Sequence, residues 1–451
     1  MITPLIIRRY SPMNKLEINV VLKIRIPDDD ITVNGILKNL EEETPIILNK
    51  ILENILRAIE ERAIDRIKKG ETGHYVLNGH QRKARKLITH FGVFYYRMAQ
   101  MRNKDTGKVI VPLAKEIKLL PYKQYQGEAM EAGVGLSIHL SFDRASNEIK
   151  RIRGQGASKS TTYRWFSDIS RNEGRWPPMK KIPYRYLMVD GTKVHLQGKL
   201  GVDIGQKEMR WALASLGVGK AFEPVGFWID KDWGDIRKDL EDRLEYNKLE
   251  ILFSDGGPGI EENLLAEGMR LQRCLWHGKR DFPYILYMEG LKKEEQQPFR
   301  KMFKEIPIFS FTKERLEKIT PSDYKKIKAL VEKTKEGFKK LLEELDNNRY
   351  PKAKAYLTNL YYNAITFFDY WLESGGWLPI TTNAIESAFS RISNRVKRVG
   401  RRWTDNGLLR WLMLALRKIF KPDLWDQLWR QYLKINVKIE FISCRAEYIW
   451  L

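Results

Sequence analysis

A mixed α/β fold is predicted for the central part of this chain, with an all-α block set into it and a helical and β-ribbon region before it. Three observations carry that prediction. Between Tyr184 and Ile229 apolar runs of strand length follow one another across short turns; from Trp233 to Cys274 helical and strand-like segments alternate; between Phe282 and Trp377 almost every stretch has apolar residues at helical spacing. Strands that first neighbour one another and then alternate with helices build a mixed sheet with helices against it. A purely helical stretch supplies no strand, so it reads as an insertion.

The boundaries follow from shifts in pattern: a helical region over 1–74, a small β-ribbon region over 75–140, a helix-turn-helix and linker over 141–180, the first part of the core over 181–284, the insertion over 285–376, the second part of the core over 377–425, and a tail over 426–451. Leu16–Ile26 alternates enough for a strand. Ile36 to Lys69 reads as amphipathic helix, restarted at Pro45 and ended by Gly70, its apolar side serving either packing or a dimer face. In 75–113, Leu87-Ile88-Thr89, Val93 to Tyr96 and Val109-Ile110-Val111 are strands, with a turn at Asn103 to Gly107. The basic cluster Gln81 to Lys86 is a solvated face or a phosphate contact.

Phe142 to Ile169 has the outline helix, glycine turn, helix, with Ala145, Ile149 and Ile152 on one side of the first helix and Gly154-Gln155-Gly156 between. The second helix opens with Lys159, Ser160, Thr161, Thr162 and Arg164, where a recognition helix meets base edges and phosphates. A plain helical hairpin gives the same outline; the charge of the chain favours DNA. Arg175 to Lys181 is a Pro-rich basic linker.

The core reads as strands at Tyr184–Leu196, Leu200–Gln206, Arg210–Val218 and Val225–Ile229, a charged helix from Trp233 to Asn247, a strand Leu249–Ser254, a short helix Ile260–Glu267 and a strand Met269–Cys274. The insertion holds helices over Pro321–Leu345 and Lys352–Trp371, and Gly407–Phe420 is a buried helix. This is the order of a ribonuclease H-like fold. Asp190 and Asp255 each end or interrupt an apolar strand-like run, while Glu386 lies in Thr381-Thr382-Asn383-Ala384-Ile385-Glu386, at the start of a basic helix. Asn383 is a good N-cap and Asn383-x-x-Glu386 is close to a capping box, which would give Glu386 a purely structural role. Against that stands its company: three acids, two on strands and one on a helix, suit a divalent metal site. At about 100° per residue, Ile385, Phe389, Ile392, Val396 and Val399 form a buried stripe; Glu386, Ser390, Ser393 and Lys397 lie on one side of it, Arg391, Arg395, Arg398 and Arg402 on the other.

Composition narrows the partners. With Lys+Arg 80 against Asp+Glu 57 and a formal charge of +23, the protein's field favours polyanions, nucleic acid ahead of an acidic membrane. Hydrophobic content of 43% and 13 Trp place those charges within a folding sequence. Only Cys274 and Cys444 are present, so no disulfide framework is implied and a reducing compartment is expected. The apolar run at the N-terminus is too short for a signal peptide, and no uncharged segment is long enough to span a bilayer. A cytoplasmic or nucleoid-associated location without a membrane partner follows.

Four motifs in fixed order, Val189-Asp190-Gly191-Thr192, Ser254-Asp255-Gly256, Cys274-Leu275-Trp276-His277 and Thr381 to Glu386, resemble the DDE transposases of the Mutator-like clade, which includes bacterial and archaeal insertion-sequence enzymes. The resemblance spans Tyr184 to Trp403. It implies a ribonuclease H-like core with a helical insertion, and Asp190, Asp255 and Glu386 as a catalytic triad binding magnesium, for which manganese can substitute. It also implies that Cys274 and His277 lie near the active site, in a structural or DNA-positioning role; a zinc site there lacks further ligands. Arg391, Arg395, Lys397 and Arg398 would face DNA. His195 is expected to be a plain strand residue, and Asp203 is the rival carboxylate.

The expected activity is therefore transposition: binding of double-stranded DNA at terminal inverted repeats, metal-dependent cleavage and strand transfer into target DNA, by a homodimer or higher oligomer that pairs two ends. A nuclease or integrase on the same fold, and a catalytically silent DNA-binding protein descended from a transposase, are the alternatives.

Overall fold

The computed structural model describes residues 17–21, 24, 32–70, 74–89, 91–119, 124–153, 156–171, 181–198, 202–398, 403–435, 439–440 and 442. The chain divides into two compact units, Met1–Asp168 with Trp429–Leu451, and Ile169–Leu428.

The first unit opens with one long helix, α1 (Val33–Lys69), whose N-cap Thr32 accepts a hydrogen bond from the Gly35 amide. The expected restart at Pro45 does not occur: the helix runs through it. The surrounding turns are exposed, so water can take the carbonyl that proline leaves without a donor. The helix ends at Gly70 as expected, where the Gly70 amide donates to the Arg66 carbonyl. Of the strand expected over Leu16–Ile26, Glu17–Val21 forms none and most of the rest lies outside the described residues.

Five short strands follow: β1 (Tyr75–His80), β2 (Arg85–Thr89), β3 (Gly92–Tyr96), β4 (Ala99–Asn103) and β5 (Val109–Ile110). β2 and β3 make a hairpin, and β1, β4 and β5 an antiparallel sheet of three. The turn at Asn103 forms because its side-chain oxygen accepts from the Asp105 and Thr106 amides, with Gly107 supplying a φ of +67°. Beneath them Leu56, Leu87, Phe94, Tyr96, Met98 and Leu113 form a core. Glu60 is buried there, accepting from the Tyr96 hydroxyl and the Ala99 amide.

Helices α2 (Pro112–Glu116) and α3 (Gly127–Ser137) complete this part, and α4 (Phe142–Arg153) and α5 (Lys159–Ser170) are the expected helix pair; Gly154 and Gln155 between them lie outside the described residues. Ala145 and Ile149 are buried, but Ile152 is exposed, so the apolar stripe of α4 stops a turn early.

The second unit is built on a five-stranded mixed sheet of β6 (Tyr186–Gln197), β7 (Asp203–Ser215), β8 (Glu223–Ile229), β9 (Ile251–Ser254) and β10 (Arg270–Arg273), in the order β10-β9-β6-β7-β8. β6, β7 and β8 are an antiparallel meander, whereas β9 runs parallel to β6 and β10 parallel to β9. The two strands expected over Leu200–Gln206 and Arg210–Val218 are one: β7 pairs with β6 along its whole length, and the polar stretch Gly205 to Glu208 that suggested a break lies on the exposed outer half of the pair.

One face of the sheet packs Leu187, Val189, Ala212, Ala214 and Leu252 against α6 (Trp233–Arg243) and α7 (Ile260–Leu264). Against the other face lie helices from the insertion and from the segment after it. The insertion is all helical, as expected: α8 (Leu275–Met288) leads into it, and α9 (Gln297–Glu305), α10 (Lys313–Glu317), α11 (Tyr324–Asn347), α12 (Pro351–Ala364) and α13 (Thr366–Ser374) follow, with 3-10 turns between. The single helix expected over Lys352–Trp371 is two, α12 and α13, broken at Ile365. α14 (Asn383–Ser393), α15 (Asp405–Phe420) and α16 (Pro422–Leu433) end the described elements. No helix among the described residues is long and apolar enough to cross a membrane.

Candidate active site

Asp190 sits on the central strand β6, and its cross-strand neighbour on β7 is Trp211. Side chains alternate along a strand, so Tyr186, Met188, Asp190 and Thr192 share one face. The β6 to β9 pairing ends at Met188 against Phe253. Two residues further on each strand come Asp190 and Asp255, level with each other at the carboxyl ends of adjacent parallel strands, whose spacing is roughly 5 Å. The sheet order reverses beside this point, where the crevice of an open α/β sheet opens.

The Asp255 loop is held from behind. Its side chain accepts from the Gly257 amide at 2.9 Å, and Gly256 has a φ of +84°. A Cβ at Gly256 would meet the guanidinium carbon of Arg273 at 1.7 Å, so only glycine lets the loop lie against that buried cation. Arg273 in turn hydrogen-bonds Asn359 of α12.

Glu386 arrives from α14. Phe389, one turn later on the helix, packs edge to face on Trp211 at 6.2 Å, which seats the first turns of α14 on β7 at the residue directly across from Asp190. The capping reading of Glu386 fails: the N-cap is Thr382, not Asn383, and no side-chain capping bond forms. Thr382 is turned instead toward α8. Its amide donates to the Cys274 Sγ at 3.4 Å and its hydroxyl meets His277 Nδ1 at 3.5 Å, while His277 Nε2 lies 3.9 Å from Glu386 Oε1. That oxygen is buried and has no hydrogen-bond partner among the described residues. Cys274 and His277, both buried, thus sit beside the acids and join the start of α8 to the start of α14.

The electrostatics match this crowding. Burial first, then the charges of Asp255 and Glu386, push the Asp190 carboxyl up to about 6, although the Gly191 amide and His277 act the other way. Burial works against charge on the His277 ring, yet Cys274 and Asp255 raise its proton affinity above the ordinary value. Burial would raise the Cys274 thiol, but hydrogen bonds from His277 and Thr382 hold it below its usual range. Among the described residues no three His, Cys, Asp or Glu side chains stand close enough to form a metal-holding group. The donor chemistry nonetheless suits a hard cation: the charges of Asp255 and Glu386 add to burial in raising the proton affinity of Asp190, and one Glu386 oxygen is buried without a hydrogen-bond partner among the described residues.

The basic residues expected near the site separate. Lys397 reaches it: its ammonium donates to Thr192 Oγ1, and Asp190 acts on its charge. Arg391 is pinned elsewhere, donating to the Ile419 carbonyl at 2.8 Å and lying 4.4 Å over the Phe420 ring. Arg395 is buried, its guanidinium 4.6 Å over Trp403, so the two members of the expected row whose side chains are described, Arg391 and Arg395, do not present a shared cationic face. From Asn394 to Arg398 a π-helical turn replaces the expected unbroken α-helix, and Arg395 lies within it. Its i to i+5 hydrogen bonds widen the turn and carry later residues off the 100° pattern. The Arg398 side chain, Val399 and Arg402 lie outside the described residues.

On α5, Lys159, Ser160 and Arg164 are exposed and Thr161 is half-buried against Ser158, while Thr162 is fully buried and cannot face DNA. His195 is a strand residue hydrogen-bonded to Gln206. Asp203 pairs with Gln197 in the register that sets Asp190 against Trp211, which puts it roughly 20 Å away along the strands. Arg273 carries no signal in the sequence, and Thr192 and Thr382 stand there only as members of their motifs, because each acts through a neighbour distant in the chain.

No family model matches the chain. It is similar to the UPF0236 protein in vanSb 3'region of Streptococcus gallolyticus, with 25% identity over 402 residues that cover 82% of this chain and 80% of that protein.

Proposed function

We propose that this chain is a DDE-type DNA transposase on a ribonuclease H-like core, one that binds the terminal inverted repeats of its own mobile element, cleaves there and joins the freed 3′ ends to target DNA. One observation carries the reading: Asp190 on the central strand, level with Asp255 on the adjacent parallel strand, beneath a helix that brings Glu386 in after an all-helical insertion. The sheet order, a meander of three strands with two parallel strands added beside the first, supports the same core.

Asp190, Asp255 and Glu386 would hold magnesium, which when bound supplies the charge that activates the attacking hydroxyl and stabilises the leaving oxygen. The chain's own groups prepare the place. Lys397 stands beside Asp190, where its ammonium can take a phosphate oxygen. The Thr382, Cys274 and His277 contacts fix α14 to α8 and so fix the height of Glu386 above the strands. Arg273 holds the Asp255 loop. Because two ends must be joined, the working form is a dimer or larger.

Strand transfer tests the proposal: purified protein, magnesium, and labelled duplex carrying the inverted repeats that flank its gene, with Asp255→Ala protein alongside. Joined products that require the metal and disappear in the variant are expected. Cleavage without joining would make it a nuclease, and binding with neither would make it a silent DNA-binding protein.

A further inference from the structure

Among the described residues, one face of α8 carries three largely exposed aromatic side chains. Leu275, Phe282 and Leu286 are buried on the inner side, where Phe282 stacks on Phe303 at 4.5 Å and α12 also packs. On the outer side Trp276 is 49% exposed, Tyr284 65% and Tyr287 70%. At about 100° per residue these three and Arg280 fall within roughly 80° of one another, along a line of roughly 16 Å. Contiguous exposed apolar surface of this kind marks an interaction site.

The stripe begins at the candidate active site. Trp276 precedes His277, whose ring is 3.9 Å from Glu386. Arg280 lies 5.1 Å over the Trp276 ring, is held by Asp281, and is within electrostatic reach of Asp255 and Glu386. The stripe therefore offers flat rings, one of them already carrying a cation, in line with the carboxylates of a chain with a formal charge of +23.

We propose that the outer face of α8 is a stacking platform for unpaired nucleotides of the DNA strand leaving the active site, with Trp276, Tyr284 and Tyr287 taking bases and Arg280 a phosphate. The proposal rests on the transposase reading and names a part of its substrate, a locally unpaired DNA end. The faces of paired bases are covered by their neighbours, so only unpaired bases can use such rings, and stacking of this type tolerates any sequence. Continuity with the carboxylates and the cation on Trp276 favour nucleic acid over a protein partner.

The test is binding of a labelled oligothymidylate of ~12 nucleotides, within the size range of such platforms, against a duplex of the same length. Trp276→Ala/Tyr284→Ala/Tyr287→Ala protein should bind the single strand at least about tenfold more weakly and the duplex within about twofold of wild type. Tyr284→Phe/Tyr287→Phe, which keeps the rings, should bind like wild type. These side chains are exposed, and an unchanged melting temperature establishes that the variants fold. Single-strand affinity unchanged in the triple variant overturns the platform, as does equal loss on both DNAs, which would mean backbone contact only. A dimer in sedimentation that the triple variant abolishes overturns it too, assigning the face to a second copy. Metal-dependent joining with unchanged single-strand affinity removes the platform and leaves the transposase. Ring-dependent single-strand binding without joining does the reverse.

Discussion

Asp190 is where the charge balance of the site is decided. Its carboxyl has an ordinary value of 3.8 and is pushed up to about 6 in the fold, by burial and then by Asp255. A folded-state value above the unfolded one means that the folded protein holds the proton more tightly. The stabilisation is complete below pH 3.8 and is lost as the pH rises through about 6. Metal-free protein should accordingly lose on the order of 2 kcal/mol across that window. Asp190→Asn, which mimics the protonated acid at every pH, should melt above wild type at pH 8 and level with it near pH 4; a gap of equal size at both ends would exclude ionisation of Asp190 as its source. Gly256 gives a second prediction. With a φ of +84° and the Arg273 guanidinium in the place of a Cβ, Gly256→Ala should cost about 2 kcal/mol or more in urea unfolding. Arg273→Ala/Gly256→Ala should recover the part due to the clash and not the part due to the backbone.

At the scale of elements, the site depends on how α14 is seated, and Phe389 on Trp211 is the contact that seats it. Phe389→Ala should cost about 2 kcal/mol, below the usual range for a fully buried aromatic because Phe389 is only half-buried. A loss below about 0.5 kcal/mol would mean that other contacts hold the helix. The sequence showed this helix and its apolar stripe, because Ile385, Ile392 and Val396 recur at helical spacing and are buried. It did not show the π turn, at which Lys397 hydrogen-bonds Thr192 of β6, and the expected arginine row assumes an α-helix that continues past Ser393. Nor did it show the cap. Asn383 is the better capping residue by type, but the Thr382 amide and hydroxyl are engaged by Cys274 and His277, whose approach depends on pairing far along the chain. The same limit explains β7. Its exposed polar half reads locally as a turn, and only its partner β6 makes it strand. The helices of the insertion were legible because helical periodicity is local, whereas the pairing that sets Asp190 level with Asp255 is not.

For the whole molecule, the proposed DNA binding would draw its strength from the formal charge of +23, and the exposure of each cation decides whether it would contribute. Each Lys or Arg that neutralises a phosphate releases condensed counterions, so log affinity falls linearly with log salt, by about 0.9 per contact for duplex DNA. Lys159 and Arg164 are exposed at the start of α5, and removing either should lower that slope by about 1 while weakening binding to all sequences alike. Arg391 is spent on the Ile419 carbonyl and the Phe420 ring, and Arg395 is buried against Trp403, so Arg391→Ala and Arg395→Ala should leave the slope unchanged. Arg395→Ala should lower the melting temperature instead, through lost packing on Trp403. Titrations of labelled duplex between low and physiological salt separate these outcomes. A slope that drops for Arg391→Ala would mean that its bond to α15 opens when DNA arrives, and the basic helix would then be the DNA-facing element that its sequence suggests.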